Sequence, residues 1–136
     1  MILRGIRADE LGGIWPQIEG WISEACEEEG GSYQAKDIQA AILGRDMQLW
    51  AAMNGETVAA IAVTEIRAFP RRKTCWVLMV LGQDMALWHD FRHTIAEWAK
   101  AQGCTGKKAM KALARRGYMR LFGEYGCSHV LLERDL

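Results

Sequence analysis

Apolar and polar positions follow two rhythms along this chain, and each switch between them marks the edge of an element. The clearest example is Thr74–Gly103. Its first part, Cys75-Trp76-Val77-Leu78-Met79-Val80-Leu81, is continuously apolar, as expected of a strand covered on both faces. After the short turn Gly82-Gln83-Asp84 the pattern becomes helical. Trp88, Phe91, Ile95, Trp98 and Ala99, followed by the polar Gln102, lie on one stripe of a repeat of about 3.6 residues. Asp84 suits the N-cap of this helix because its carboxylate can accept from free backbone N–H groups, and Gly103 suits the C-cap.

The remaining elements follow by the same reasoning. Ile2–Ile6 forms a first strand, and Ile14, Ile18, Trp21, Ile22 and Ala25 mark the inner face of a first helix. Pro16 belongs in the first turn of that helix, where a missing N–H costs little, and Glu27 to Gly31 form its solvated end. Tyr33–Leu43 is a second helix with Ile38, Ala41 and Ile42 inward and Gly44 as its stop. Met47–Met53 and Thr57–Phe69 are strands joined by an Asn54-Gly55 hairpin turn. Pro70 to Lys73 turns the chain into the strand Thr74–Leu81. Thr105–Lys111 reads as a strand or an irregular basic segment, Ala114–Tyr125 as a helix, and His129–Leu136 as a closing strand. The order predicts one α/β (α+β) domain over residues 1–136. It has a mixed, mostly antiparallel central sheet with helices on both faces, and the strand–helix junction after Leu81 lies near mid-sheet.

Composition narrows the class of protein. With 136 residues, 50% hydrophobic and 25% charged, the chain has the makeup of an ordinary water-soluble globule. No apolar run approaches the roughly 20 residues of a membrane span, and the first residues lack the form of a signal peptide. Cys26, Cys75, Cys104 and Cys127 are scattered without a C-x-x-C pair, which predicts reduced thiols in a cytoplasmic setting. The zero net charge conceals an asymmetry. Residues 1–65 contain 4 basic and 11 acidic side chains, whereas residues 66–136 contain 13 and 6. The two halves are expected to complement each other within the fold; a basic surface facing a polyanion is the alternative.

Other constellations are weaker. His89 and His93 are spaced as in H-E-x-x-H, but Asp90 is too short for the Glu role and no third ligand is evident, so no metal is expected. Lys107, Lys108, Lys111, Arg115, Arg116 and Arg120 could contact phosphates, which keeps a nucleic-acid-binding module as a third reading. Of the 6 tryptophans, Trp21, Trp76, Trp88 and Trp98 take core positions by period. The period leaves Trp15 and Trp50 open, and exposed indoles would indicate a protein interface.

Several of these features, taken in order, resemble the GNAT superfamily of acetyl-CoA-dependent N-acetyltransferases over nearly the whole chain. They are the Asn54-Gly55 hairpin, the Trp76–Leu81 strand leading into the helix ended by Gly103, and the closing Ala114–Leu136 unit with Tyr125-Gly126. Arg115-Arg116-Gly117-Tyr118 followed by Tyr125-Gly126 is similar to a compact variant common in bacteriophage and prophage genomes. The resemblance implies acetyl-CoA as cofactor and a primary amine as acceptor, with the backbone of Val80, Leu81, Gly82 and Gln83 as the acyl-CoA contact. Catalytic candidates are Tyr118 and Tyr125 as general acid and Glu65 as base.

Two departures from the family pattern weigh against transfer. The Q/R-x-x-G-x-G/A loop is reduced to Gly82-Gln83-Asp84, with Ala86 at its last small position and a carboxylate where a pyrophosphate should sit. Phe122 stands four residues before Gly126, where active members carry the tyrosine acid. The expectation is therefore a GNAT-fold protein that has lost acetyl transfer and needs no cofactor. It would serve as a phage-type accessory or virion-associated module with a protein partner or a second copy, in the host cytoplasm or the virion. A working acetyltransferase is the alternative.

Overall fold

The computed structural model describes residues 1–83, 87–114, 120–127 and 129–136. Strand β1 (Ile2–Ile6) leads through a single 3-10 turn into helix α1 (Leu11–Glu29), followed by α2 (Ala35–Leu43). Strands β2 (Gln48–Asn54), β3 (Thr57–Phe69) and β4 (Arg72–Gly82) form a meander. Helix α3 (Trp88–Ala101) then crosses to the short strand β5 (Met110–Ala112). The sheet order is β1-β2-β3-β4-β5, antiparallel except for the parallel β4–β5 pair. This is the mixed, mostly antiparallel α/β architecture the hydrophobic pattern predicts.

Alternation along the central strands sorts the core into two layers. Leu49, Ala51, Ile61 and Val63 face Leu11, Ile18 and Ile22 of α1 and Ile38 and Ile42 of α2. Trp50, Ala52, Ala60 and Ala62 face Trp88, Phe91 and Ile95 of α3. Small alanines on that second face leave room for the aromatic rings of α3, an exchange of volume that close packing demands. Trp50 is thus buried, its Nε1 donating to Thr64 Oγ1 at 3.1 Å, and Thr64 Oγ1 donates to Gln48 Oε1 at 3.0 Å. Trp15 is buried as well, so the two tryptophans without a periodic position are core residues.

Several boundaries differ from the sequence reading, each for a local reason. Pro16 lies inside α1 and beyond its first turn, because the helix begins earlier, at Leu11. The ring sits on the exposed face, so the carbonyl it leaves without a donor, that of Gly12, opens to water. At the other end Gly30 takes φ 114° and closes α1 through its N–H, while the Glu29 carboxylate accepts from the Ser32 N–H at 3.1 Å. In the first hairpin Asn54 pairs with Thr57 as the last strand residue, which makes Gly55-Glu56 the loop. Gly55, at φ 64°, supplies the left-handed first position.

Helix α3 starts at Trp88 with Leu87 at the N-cap, later than the Asp84 start expected; Asp84 itself lies outside the described residues. The strand–helix junction lies at the end of β4, the fourth of the five strands and beyond the stretch that β5 pairs. Of the helix expected over Ala114–Tyr125, residues 115–119 lie outside the described residues, and Arg120 to Phe122 form a 3-10 turn. The stretch 129–136 joins no ladder, so the closing strand expected there is not formed. Among the described residues, Arg67–Glu65 is an ion pair that crosses between the acidic and basic halves.

Two irregularities shape the end of β4. Ala52 pairs with Ala60 and Met53 with Val58, so Ala59 is an extra residue in β3. Its carbonyl accepts the Gln83 N–H at 3.0 Å. Gly82 lies so close to this corner that a Cβ would stand 2.7 Å from both Ala59 O and Ala60 Cα, and its φ is 129°. Gly82→Ala should therefore cost about 1–3 kcal/mol of stability. Denaturant unfolding checks this, and an unchanged midpoint would mean the corner has slack.

Candidate functional site

The second irregularity lies in β4 itself. Val63 pairs with Met79 and Thr64 with Val77, which leaves Leu78 as a bulge facing neither partner squarely. On the other side, β5 runs beside β4 only from Cys75–Met110 to Val77–Ala112. The last bond between them is the Leu113 N–H to Val77 O at 3.1 Å. From Leu78 to Gly82, β4 continues with its outer edge unpaired among the described residues, and all these residues are half-buried. Among the described residues the two strands pair at the bottom and part at the bulge, and the apolar notch between them has main-chain N–H and C=O groups along one wall.

Several aromatic residues close the notch toward α3. Trp88, fully buried in the first turn of α3, lies with its ring centroid 5.1 Å from that of Phe122, and Phe122 lies 5.3 Å from Tyr125. Arg92 on α3 pairs with Glu124 at 3.1 Å, which holds the 120–125 segment against the helix. Among the described residues the Trp88 indole N–H has no hydrogen-bond partner, a costly condition for a buried donor. Burial, aided by the neighbouring charges of Glu124 and Cys75, pushes the Tyr125 hydroxyl up to about 12. That phenol holds its proton throughout the physiological range.

The site residues expected from the sequence fall in different places. Val80, Leu81 and Gly82 form the open wall of the notch, and Gln83 follows directly, although its N–H is already committed to Ala59. Tyr125 borders the same notch; Tyr118 lies outside the described residues, as do Ala86, Arg115 and Arg116. Glu65 lies below the bulge, opposite Trp76, and its carboxylate accepts from Arg67 Nε at 2.6 Å. The Arg67 guanidinium in turn stacks 4.2 Å from the Trp76 ring centroid. This engagement sets Glu65 apart from the unpaired wall of the notch. His89 and His93 are exposed on α3, His89 Nδ1 against an Arg92 nitrogen, and no group of three metal-ligating side chains occurs among the described residues.

Sequence reasoning missed three features. The Leu78 bulge carries no residue signature, since it interrupts a uniformly apolar run. The packing of Phe122 on Trp88 joins residues far apart in the chain. Cys75 and Cys104 also share a buried cluster with Ala99, and burial pushes the Cys75 thiol up to about 12. A surface cleft of about 1040 Å³ lies at the opposite end of the sheet, between Arg7, Asp46, Trp50 and Trp98. It shares no residue with the Leu78–Gly82 wall, being lined by Gly5, Ile6, Trp50, Ile66 and Trp98 with the loops beside them.

No family profile matches the sequence, and no curated protein matches it. Solved structures do. A Bacillus halodurans protein solved as a tetramutant is 17% identical with a TM-score of 0.68, over 100% of both chains. An aminoglycoside acetyltransferase from an uncultured soil metagenomic sample, in complex with sisomicin, is 9% identical with a TM-score of 0.71, over 99% of this chain and 95% of that one. A predicted acetyltransferase with acetyl-CoA from Clostridium acetobutylicum is 11% identical with a TM-score of 0.67, over 98% and 95%. The chain has the fold of the GNAT acetyltransferases.

Two measurements test the electrostatics of the notch. An alkaline titration of phenolate absorbance should contain a late component near pH 12 that Tyr125→Phe abolishes. Because the unfolded chain releases this proton near 10 and the folded chain near 12, Tyr125 stabilises the fold fully below pH 10 and loses that contribution across the interval. Exposed Cys127 should react promptly with an aromatic disulfide reagent, while buried Cys75 reacts only on unfolding.

Proposed function

We propose that the protein is an acyl-CoA-dependent N-acetyltransferase acting on a primary amine, with the notch beyond the Leu78 bulge as its acyl-CoA site. The observation that carries this reading is the parting of β4 from β5, which among the described residues leaves the Leu78–Gly82 edge unpaired. Unpaired strand edges are polar main-chain rails set in apolar side chains, matching the amide-bearing, flexible arm of coenzyme A. When bound, acetyl-CoA supplies the activated acyl group. The chain's own residues orient it along the Val80–Gly82 backbone and exclude water through the Trp88–Phe122 wall. Tyr125, protonated until about 12, holds at its hydroxyl the proton that a leaving thiolate requires.

A second reading has a specific observation in its favour. Phe122, buried against Trp88, occupies the place where the family resemblance expects a tyrosine, and Phe has no proton to give. On that reading the fold binds without transferring, as an accessory module of the phage type that the sequence resembles. A carboxylate at Asp84, just before α3, would further weaken any hold on a diphosphate.

Isothermal titration with acetyl-CoA separates the two. Transfer is supported by binding tighter than about 100 µM, equivalent to about 5.5 kcal/mol. It is further supported if Asp84→Gly tightens that binding, and if Tyr125→Phe lowers kcat at least about 100-fold with acetyl-CoA affinity retained. No binding at millimolar ligand would discard the transferase reading in favour of the binding module.

A further inference from the structure

Below the Leu78 bulge, Glu65, Trp76 and Lys111 form one rung across β3, β4 and β5. Alternation puts Arg67 and Phe69 of β3 and Arg72 of β4 on the same side of the sheet as this rung. Ile66 and Cys75, which alternate with them, pack toward Ala99 of α3, so the rung looks away from that helix. Neither Trp76 nor Phe69 joins the cluster beneath α1 and α2, and Phe69 is 49% exposed.

Rings and cations interleave on this face, and both are held in place. Trp76 Nε1 donates to Thr74 Oγ1 at 3.0 Å, which fixes the indole. The Arg67 guanidinium, held by Glu65, stacks on that indole while 40% of the Arg67 side chain stays exposed. The Lys111 ammonium lies 5.8 Å from the same ring centroid. Arg72 crosses to the turn before β5, donating to Lys107 O and, at 2.8 Å, to Lys108 O, and so ties the β3–β4 tip to two exposed lysines. Four basic side chains in residues 65–76 and three in residues 105–113 meet a single acidic one in those stretches, Glu65.

We propose that this face of β3, β4 and β5 binds single-stranded nucleic acid. Bases stack on Phe69 and on the Arg67 plane that Trp76 backs, and the phosphates run past Lys107, Lys108 and Lys111. A bare polyanion would need the cations alone, whereas rings set among them fit a strand that offers flat bases and phosphates by turns. A duplex hides its base faces, so the single strand is the occupant these groups recognise. The face shares no residue with the Leu78–Gly82 notch, and the inference does not rest on acyl transfer.

Fluorescence anisotropy of the full chain with labelled oligothymidylate and oligouridylate of about ten nucleotides tests this. At least one of the two should bind, DNA or RNA, with a slope of log association constant against log salt of about −2 to −3, as three or four phosphate contacts require. Phe69→Ala should weaken binding at least about fivefold, and Phe69→Leu, which keeps the apolar bulk but removes the ring, should act in the same direction. Lys107→Glu with Lys108→Glu should weaken it at least about tenfold with circular dichroism unchanged, both lysines being exposed. Excess acetyl-CoA should leave binding unaltered. No binding of either strand at about 50 mM salt would overturn the proposal, as would a tighter hold on the matching duplex. So would displacement by acetyl-CoA, which would put the strand in the notch, or an affinity indifferent to both Phe69 variants, the mark of a charge contact alone.

Discussion

The approach of Gly82 to the backbone of Ala59 and Ala60 determines where β4 ends, and most of the site follows from that corner. The extra residue in β3 turns the Ala59 carbonyl out of the β2–β3 ladder and into the Gln83 N–H. A side chain at position 82 would occupy the space of the main chain it must touch. With the corner fixed, the preceding bulge at Leu78 is held in place from both sides, by the Val63–Met79 pair above and the Thr64–Val77 pair below. The notch is therefore a property of backbone geometry, with apolar side chains filling in around it.

Much of the fold was legible in the sequence because two-residue and helical rhythms report directly on which face is covered. The Thr57–Phe69 strand has the bounds predicted, and Trp88, Phe91, Ile95 and Ala99 are the buried stripe of α3. Pro16 was misplaced because the rule that keeps proline in a first turn yields when its face is solvated. The Asn54-Gly55 signal located the hairpin but put the loop one residue early, since the left-handed angle is taken by Gly55 alone. Leu121, Phe122 and Tyr125 share one cluster, the first two on a 3-10 turn and Tyr125 just after it. His129–Leu136 has a strand's composition, but pairing is a property of a neighbour, and composition cannot supply one.

The candidate site was less legible than the fold. Val80, Leu81 and Gly82 could be named because a strand entering a helix is visible in the residue pattern. Bulges in β3 and β4, the Phe122–Trp88 contact and the Cys75–Cys104 cluster are long-range arrangements of residues with no unusual chemistry of their own. Glu65 shows the converse: a carboxylate on a central strand looks functional in isolation, yet Arg67 and Trp76 account for it as part of a stacked surface group. The acidic and basic halves of the sequence also follow the sheet order, β1 and β2 belonging to one and β4 and β5 to the other.

The parallel pairing of β5 bears on how the chain matures. The β2–β3–β4 meander closes through tight hairpins and can assemble as soon as its residues leave the ribosome. β5 pairs with β4 across the long connection of residues 83–109, so bringing Met110 to Cys75 costs more loop closure than either hairpin. The last neighbour to arrive is the one that converts a plain sheet margin into a forked one. A nascent or partly unfolded chain can therefore keep most of its core while lacking the fork altogether.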